Sequence, residues 1–255
     1  MANVLIVGES WMSQSQHLKG WDFFSSATYH TGHRELQAAL EAAGHRVAHM
    51  PSHAAATDFP FELTGLRAYD VVILSDVGAN TLLLHADTWI HGRTTPNRLR
   101  LIASFVEAGG GLLMAGGYFS FQGIHGAARF RRTPVEAVLP VTMLSVDDRV
   151  EEPEGFEVRL DAPDHTLVAD LATPWPPLLG LNEVVVRPEA TLVASAGGYP
   201  LLVLGHHGSG RSAAWTSDIG PHWCSPEFVA WDGYARLWPR LVAWLADETH
   251  PEVGA

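Results

Sequence analysis

Polar residues suited to acid–base chemistry follow several buried apolar segments of this 255-residue chain. Glu9 follows the first segment, Asp76 the third, Tyr118 the fourth, and Asp218 and His222 the last. A histidine beside a carboxylate exchanges protons near neutral pH, and a tyrosine hydroxyl donates to developing negative charge. The pattern therefore predicts general acid–base chemistry on a small polar molecule.

The candidate catalytic residues divide into two mechanisms. In the first, His222 is the general acid or base, Glu9 or Asp218 orients it, and Tyr118 donates a hydrogen bond. In the second, Cys224 is the nucleophile, because a thiol near the start of the last predicted helix has a lowered pKa. A lone cysteine is more often a small buried apolar residue, so both interpretations stay open.

Further polar and aromatic side chains near the same segment ends are expected to line a substrate pocket. They are Trp11, Lys19, His53, Asp76, Asn80, Ser120, Gln122 and Trp223. Lys19 is the only lysine beside fifteen arginines, which favours a role that needs a compact or deprotonatable amine. The alternative is that such residues only form turns and helix caps.

Metal binding has weaker support in the sequence. Pairs such as His53 with Asp76, or His222 with Asp218, offer imidazole and carboxylate ligands. These pairs alone are a weak signal, so we predict no metal ligand and no cofactor, with a divalent metal as the open alternative.

The elements that must position these residues alternate between strand and helix. We predict parallel strands over residues 4–7, 46–50, 69–75 and 112–115, and helices over residues 31–43 and 97–108. In open α/β sheets ligands lie beyond the carboxyl ends of the strands, where the polar residues fall. The pattern predicts an α/β, flavodoxin-like three-layer fold with a mostly parallel central sheet.

The second half of the chain changes character. Short segments over residues 140–204, separated by Pro, Gly and Asp, predict antiparallel strands that extend the same core. Residues 201–204 and 212–216 predict a hairpin, and Ser225 with Pro226 predicts a helix start. From His250 onwards we expect a frayed end.

Composition narrows the function classes. With 47% hydrophobic residues we expect one domain over residues 1–255, without membrane spans. The net charge of −12 opposes nucleic-acid binding, and the single cysteine precludes an internal disulfide. We expect a cytoplasmic protein with a small-molecule ligand, and nine tryptophans make a homo-oligomer a further expectation.

Several stretches also resemble the class I glutamine amidotransferase-like superfamily, in the cytoplasmic amidotransferase-like branch near the ThuA-like proteins. They are residues 8–11 (GESW), 75–81 (SDVGANT), 116–123 (GGYFSFQG), 133–136 (TPVE) and 218–223 (DIGPHW). The resemblance covers nearly the whole chain and implies the same flavodoxin-like fold.

The resemblance does not imply glutaminase activity. The family places its cysteine nucleophile at a G-x-C-x-G elbow, where this chain has Tyr118. His222 is the nearest match to the family's histidine, but Cys224 stands where its carboxylate partner is expected. The resemblance thus implies a hydrolase or lyase acting on a small polar substrate, including carbohydrate-derived ones. The alternative is a non-catalytic metabolite- or metal-binding or assembly protein.

Overall fold

The computed structural model describes residues 1–247, so the frayed end predicted from His250 lies outside the described residues. The strands are β1 Asn3–Gly8, β2 Ser10–Lys19, β3 Asp22–Thr31, β4 Arg46–Met50, β5 Val71–Ser75, β6 Gly111–Ala115, β7 Val141–Met143, β8 Arg149–Phe156, β9 Val158–Leu160, β10 Leu178–Asn182, β11 Val184–Val186, β12 Thr191–Ala196, β13 Tyr199–His207 and β14 Gly210–Trp215. The helices are α1 Arg34–Ala42, α2 Ser52–Asp58, α3 Leu63–Leu66, α4 Ala79–Leu83, α5 Ala86–Trp89, α6 Arg98–Glu107, α7 Pro134–Val138, α8 Pro226–Ala230 and α9 Asp232–Leu245.

An 8-stranded sheet in the order β4-β1-β5-β6-β14-β13-β12-β9 forms the centre of the protein. The first five strands pair in parallel and follow the 2-1-3-4-5 order of flavodoxin-like folds. The last three pair antiparallel and extend the sheet. The predicted mostly parallel sheet with an antiparallel extension is therefore confirmed.

Helices cover both faces of the sheet, which gives three layers. Leu36 and Leu40 of α1 and Trp238 of α9 are buried in one apolar cluster. Leu99 and Ile102 of α6 are buried in the cluster on the other face. These helices carry apolar residues at helical spacing because only one side of each contacts the sheet. No helix among residues 1–247 is long and apolar enough to cross a membrane.

Two predicted helices differ from the structure at their ends. The helix predicted from Thr31 begins at Arg34, because Thr31 pairs with Ser10 as the last residue of β3. The final helix is divided at Trp231, whose extended backbone (ψ 135°) separates α8 from α9. The predicted Ser225 cap is present, since its hydroxyl accepts a hydrogen bond from the Phe228 N–H.

The largest unpredicted element is the hairpin of β2 and β3, residues 10–31. Its two strands pair over ten residues each, from Ser10 with Thr31 to Lys19 with Asp22. They form a separate 2-stranded sheet. The chain leaves the central sheet at Glu9, the first predicted site residue, and returns at Gly32, whose N–H donates to the Glu9 carbonyl.

Candidate functional site at the strand ends

Strand register aligns the site residues along one edge of the sheet. Gly8 of β1 pairs with Ser75 of β5, Ser75 with Ala115 of β6, and Ala115 with Trp215 of β14. The residues that follow these strand ends therefore lie side by side. This is why Glu9, Asp76, Tyr118 and Asp218, which are far apart in sequence, meet at one edge.

Asp218 and His222 form a hydrogen-bonded pair at this edge. His222 Nδ1 lies 2.7 Å from Asp218 Oδ2, which also accepts a hydrogen bond from the Trp223 N–H at 2.9 Å. The Asp218 side chain is 7% exposed and that of His222 is 48% exposed. The hydrogen bond to Asp218 raises the pKa of His222. A buried carboxylate thus fixes one imidazole nitrogen and leaves Nε2 to exchange protons with the solvent side.

Aromatic side chains surround the imidazole of His222. The Tyr118 ring meets it edge-on at a centroid distance of 4.9 Å, and the Trp223 ring stacks on it at 5.4 Å. The Tyr118 hydroxyl donates to Glu151 Oε1 at 3.0 Å, and the Arg149 guanidinium lies 4.7 Å from the Tyr118 ring centre. The sequence predicted that the Tyr118 hydroxyl donates to the substrate. That prediction is corrected here, because the hydroxyl already donates to Glu151. Tyr118 instead forms a wall of the site.

Glu9 is a buried carboxylic acid. Ser75 Oγ donates to Glu9 Oε2 at 2.5 Å, and the side chain leaves so little room that a Cβ on Gly32 would come within 2.4 Å of Glu9 Oε1. Burial, followed by the nearby Asp218 and Asp76 charges, raises the pKa of Glu9 well above its ordinary value. Burial therefore favours the neutral form of Glu9 more than it would in an exposed glutamate.

Gly117 brings Asp76 and Asp218 together. A Cβ at Gly117 would lie 3.0 Å from Asp76 Oδ1 and 3.2 Å from Asp218 Oδ1, and the residue has φ +142°. Asp76 Oδ1 accepts the Phe119 N–H at 2.7 Å, while burial raises the pKa of Asp76. Two carboxylates thus flank a glycine that no side chain could replace without displacing them.

A buried polar pair that the sequence did not indicate holds the loop after β6. Asn182 Oδ1 accepts the Gly117 N–H at 3.0 Å, and Asn182 Nδ2 donates to Asp148 Oδ1 at 2.8 Å. Asp148 also accepts the N–H groups of Gln122 and Gly123. Both side chains come from the antiparallel region, where no strand-end rule pointed to them. Asn182 ends an apolar run, whereas Asp148 is one of several charged residues over 147–152, so no local pattern distinguishes it.

The remaining predicted pocket residues separate into two groups. Ser120 Oγ accepts the Asp76 N–H at 3.1 Å, Trp223 is buried beside His222, and Gln122 Nε2 donates to the Gly126 carbonyl. These three support the site. Asn80 is exposed on α4 and His53 is exposed on α2, against Tyr29.

Trp11 and Lys19 lie on the hairpin instead of in the site of their own chain. Trp11 stacks on His30 at its base, and Lys19 lies over Phe24 at its tip. At about 3.3 Å per residue the tip is roughly 30 Å from Glu9 along the strand.

Cys224 is not placed as a nucleophile. It is 1% exposed, its Sγ lies 2.8 Å from the Asp218 carbonyl oxygen, and burial raises the pKa of its thiol well above the ordinary value. The sequence predicted a lowered pKa for the Cys224 thiol near a helix start. That prediction is wrong, because desolvation outweighs the helix dipole here. Cys224 behaves as a buried packing residue behind Asp218.

The described residues also bear on metal binding. Among residues 1–247, no group of three His, Cys, Asp or Glu side chains is arranged to hold a metal ion. In the Asp218–His222 pair, His222 Nδ1 makes a hydrogen bond to Asp218. In the other pair considered, His53 contacts Tyr29 at the base of the hairpin.

Comparison with known proteins identifies the family. The sequence matches the putative glutamine amidotransferase family GATase1_like over residues 3–247. The chain belongs to this family. No curated protein matches the sequence.

Two Salmonella proteins are similar to this GATase1_like chain throughout. The cytoplasmic protein STM3548 from Salmonella typhimurium is 40% identical, with a TM-score of 0.92 over 95% of this chain and 98% of that one. STM1381 from Salmonella typhimurium LT2 is also 40% identical, with a TM-score of 0.91 over 95% and 99%.

A ThuA-like protein from Parabacteroides merdae shares the fold alone. It is 14% identical, with a TM-score of 0.55 over 96% of this chain and 90% of that one. The family match and these neighbours confirm the resemblance and the flavodoxin-like fold of this GATase1_like chain.

Proposed function

We propose that this protein is a cytoplasmic hydrolase or lyase that uses His222, held by Asp218, as a general acid and base on a small polar substrate. The 2.7 Å contact between His222 Nδ1 and Asp218 Oδ2, with the imidazole half-exposed, carries the proposal. A catalytic base needs a fixed tautomer and an accessible second nitrogen, and this arrangement supplies both.

The proton pathway follows from the pair. In hydrolysis His222 Nε2 accepts a proton from water as the water oxygen attacks, and it then returns that proton to the leaving group. In elimination Nε2 accepts the proton from carbon and delivers it to the departing oxygen. Asp218 stabilises the imidazolium in both cases, because the hydrogen bond shortens the separation of opposite charges.

The charges around the site favour a neutral or cationic substrate rich in hydroxyl or amino groups. Asp76, Asp218 and Glu151 all present carboxylate oxygens near His222, and these accept hydrogen bonds from such groups. The partly exposed Tyr118 ring, backed by the buried Trp223, offers apolar surface against the C–H face of a ring-shaped molecule. Carbohydrate-derived polyols combine both properties.

A second candidate is a binding protein without catalysis. Tyr118 supports it, since a tyrosine whose hydroxyl is bonded to Glu151 stands in the place of the family's nucleophile. The same wall would then hold a metabolite without transforming it.

A thermal-shift screen tests the site. Neutral polyols, sugars, sugar acids, amides and divalent cations are each added to the wild-type protein, to His222→Gln and to a control, His207→Gln. His207 also lies near a carboxylate, at 3.8 Å from Glu107, but at the amino-terminal end of β14.

We expect stabilisation by a hydroxyl-rich compound in the wild type and the control, and its loss in His222→Gln. Equal stabilisation of all three proteins would contradict binding at this edge. Stabilisation only by a divalent cation would favour the metal-binding alternative.

A further inference from the structure

Among residues 1–247, nothing packs against the hairpin of β2 and β3, residues 10–31, along most of its length. Nearly every residue from Trp11 to Tyr29 is exposed or half-buried. An isolated two-stranded hairpin is at best marginally stable in water, and a third strand or a packed face is needed to hold it. A ten-residue pair of strands that projects from the body therefore requires a contact outside its own chain.

Large apolar side chains cover the hairpin at both ends. Their side chains are 43% to 101% exposed. Those at the base are Trp11, Met12 and Tyr29, and those at the tip are Leu18, Trp21, Phe23 and Phe24. At about 150–250 Å² for each aromatic side chain, the seven present on the order of 900 Å² of apolar surface. A stable protein interface buries about 800 Å² on each partner, so this surface is sufficient for one.

Charge indicates which partner fits. Lys19 and Asp22 are the only charged side chains among residues 10–31, so the hairpin is neutral in a chain of net charge −12. Two copies of the body repel each other, whereas two hairpins do not. Apart from Lys19 at the tip, the strand edges also lack the lysines and prolines that usually block edge-to-edge pairing. A second copy can therefore approach through the hairpin.

The distribution of side chains is self-complementary. Apolar residues at the base and at the tip are separated by a small polar middle that includes Ser13, Ser15, Ser26 and Thr28. If two hairpins cross antiparallel about a twofold axis through this middle, each apolar tip lies on the apolar base of the other. A twofold contact must match a surface with itself, and this one does.

We propose that residues 10–31 form a dimerisation arm that exchanges with the arm of a second copy of this chain. The tip of each arm then lies at the base of its partner's arm, where Tyr29 contacts His53 beyond the end of β4. The arm leaves the body at Glu9, so the arriving tip covers the open strand-end site of the other copy. The dimer itself does not depend on catalysis.

Mass measurement in solution tests the dimer. We expect the wild type to have twice the 27.7 kDa mass of the chain in light scattering coupled to size-exclusion chromatography. Trp21→Ser with Phe23→Ser should halve that mass, while the control Trp89→Ser with Ile90→Ser should leave it unchanged. The control residues are 71% and 66% exposed on and beside α5. A monomeric wild type, or a tip variant that stays dimeric, would overturn the proposal.

Cross-linking tests the crossed arrangement independently of any loss of folding. In a Cys224→Ser background, Ala27→Cys places a thiol at the middle of the arm and Asp22→Cys places one at its tip. With a short bis-maleimide, we expect covalent dimers from Ala27→Cys and none from Asp22→Cys. Cross-linking at the tip and not at the middle would show that the arms meet end to end and would overturn the exchange.

Discussion

At the scale of single residues, burial divides the acidic groups of the site into two kinds. Glu9 and Asp76 are buried with raised pKa values, whereas Asp218 pairs with a half-exposed histidine. Burial penalises the charged form, and a hydrogen-bonded partner of opposite charge favours it. The site therefore contains two buried carboxyl groups with raised pKa values beside one hydrogen-bonded Asp–His pair.

The Asp218–His222 pair predicts a specific titration. The pKa of His222 is raised above 6.5 in the folded protein by its hydrogen bond to Asp218. In Asp218→Asn that pKa should fall, because the carboxylate charge is lost while the shape is kept. Imidazole resonances followed by NMR across pH 5–9 measure both values. An unchanged pKa would show that Asp218 does not control His222.

The same pair has a stability consequence with a defined sign. A histidine with a raised folded pKa stabilises the protein below its unfolded value of about 6.5. That contribution is lost as the pH rises through the folded pKa.

Glu9 predicts a loss of stability in the same direction, and this loss begins at a lower pH. Since its folded pKa lies well above the ordinary 4.5, the unfolded chain releases this proton first, and stability falls as the pH rises above that value. Glu9→Gln keeps the shape and removes the proton, so its stability should depend less on pH, by up to about 1.4 kcal/mol per pH unit. Urea unfolding at pH 5 and pH 8 measures the difference. Equal pH dependence in the two proteins would mean that Glu9 is already ionised when folded.

The residue types at the strand ends could be predicted from the sequence, but their partners could not. Each of four site residues follows an apolar segment whose end predicts the end of a strand: Glu9, Asp76, Asp218 and His222. The bond from Tyr118 to Glu151 depends on β8, which comes from a different part of the fold. Whether Cys224 is buried also depends on packing that no local pattern contains.

At the scale of elements, the loop after β6 positions the carboxylates. Gly117→Ala should destabilise the protein by about 1–3 kcal/mol and displace Asp76 and Asp218, since the added methyl meets both carboxylates. Gly44→Ala is the matched control, because Gly44 also has a positive φ, +89°, but no atom lies within 4 Å of its Cβ position. Chemical unfolding and the His222 titration measure the two effects. Equal loss of stability in both variants, with an unchanged pKa of His222, would show that contact of the added methyl with Asp76 and Asp218 does not cause the destabilisation.

The parallel strands were predictable because they are buried on both faces and read as continuous apolar runs. The hairpin of β2 and β3 was missed for the reverse reason. Its residues are exposed on both faces, so Ser13, Gln14, Ser15 and Gln16 show no alternation of apolar and polar types. No surface among residues 1–247 covers most of it, and a pattern of burial cannot appear in a segment that folding leaves exposed.

At the scale of the whole molecule, the net charge of −12 opposes association of two copies, whereas the neutral arm favours it. Added salt screens the repulsion between two acidic bodies but hardly affects contact between neutral arms. Dimers should therefore become tighter as salt rises from about 0.02 M to 0.5 M, where the screening length falls several-fold. Sedimentation velocity over a dilution series measures the dissociation constant at each salt concentration. Weaker association at high salt would indicate an interface made by ion pairs rather than by the arm.

Turnover of a compound that stabilises the protein is the most direct test of catalysis by the Asp218–His222 pair. Product formation is followed by NMR with the wild type, His222→Gln and the control His207→Gln. Proton transfer by a positioned side chain contributes about 10²–10⁴-fold, so we predict that His222→Gln is at least about 100-fold slower while the control equals the wild type. Equal turnover by His222→Gln, or no turnover of any compound that binds at this edge, would contradict a catalytic Asp218–His222 pair.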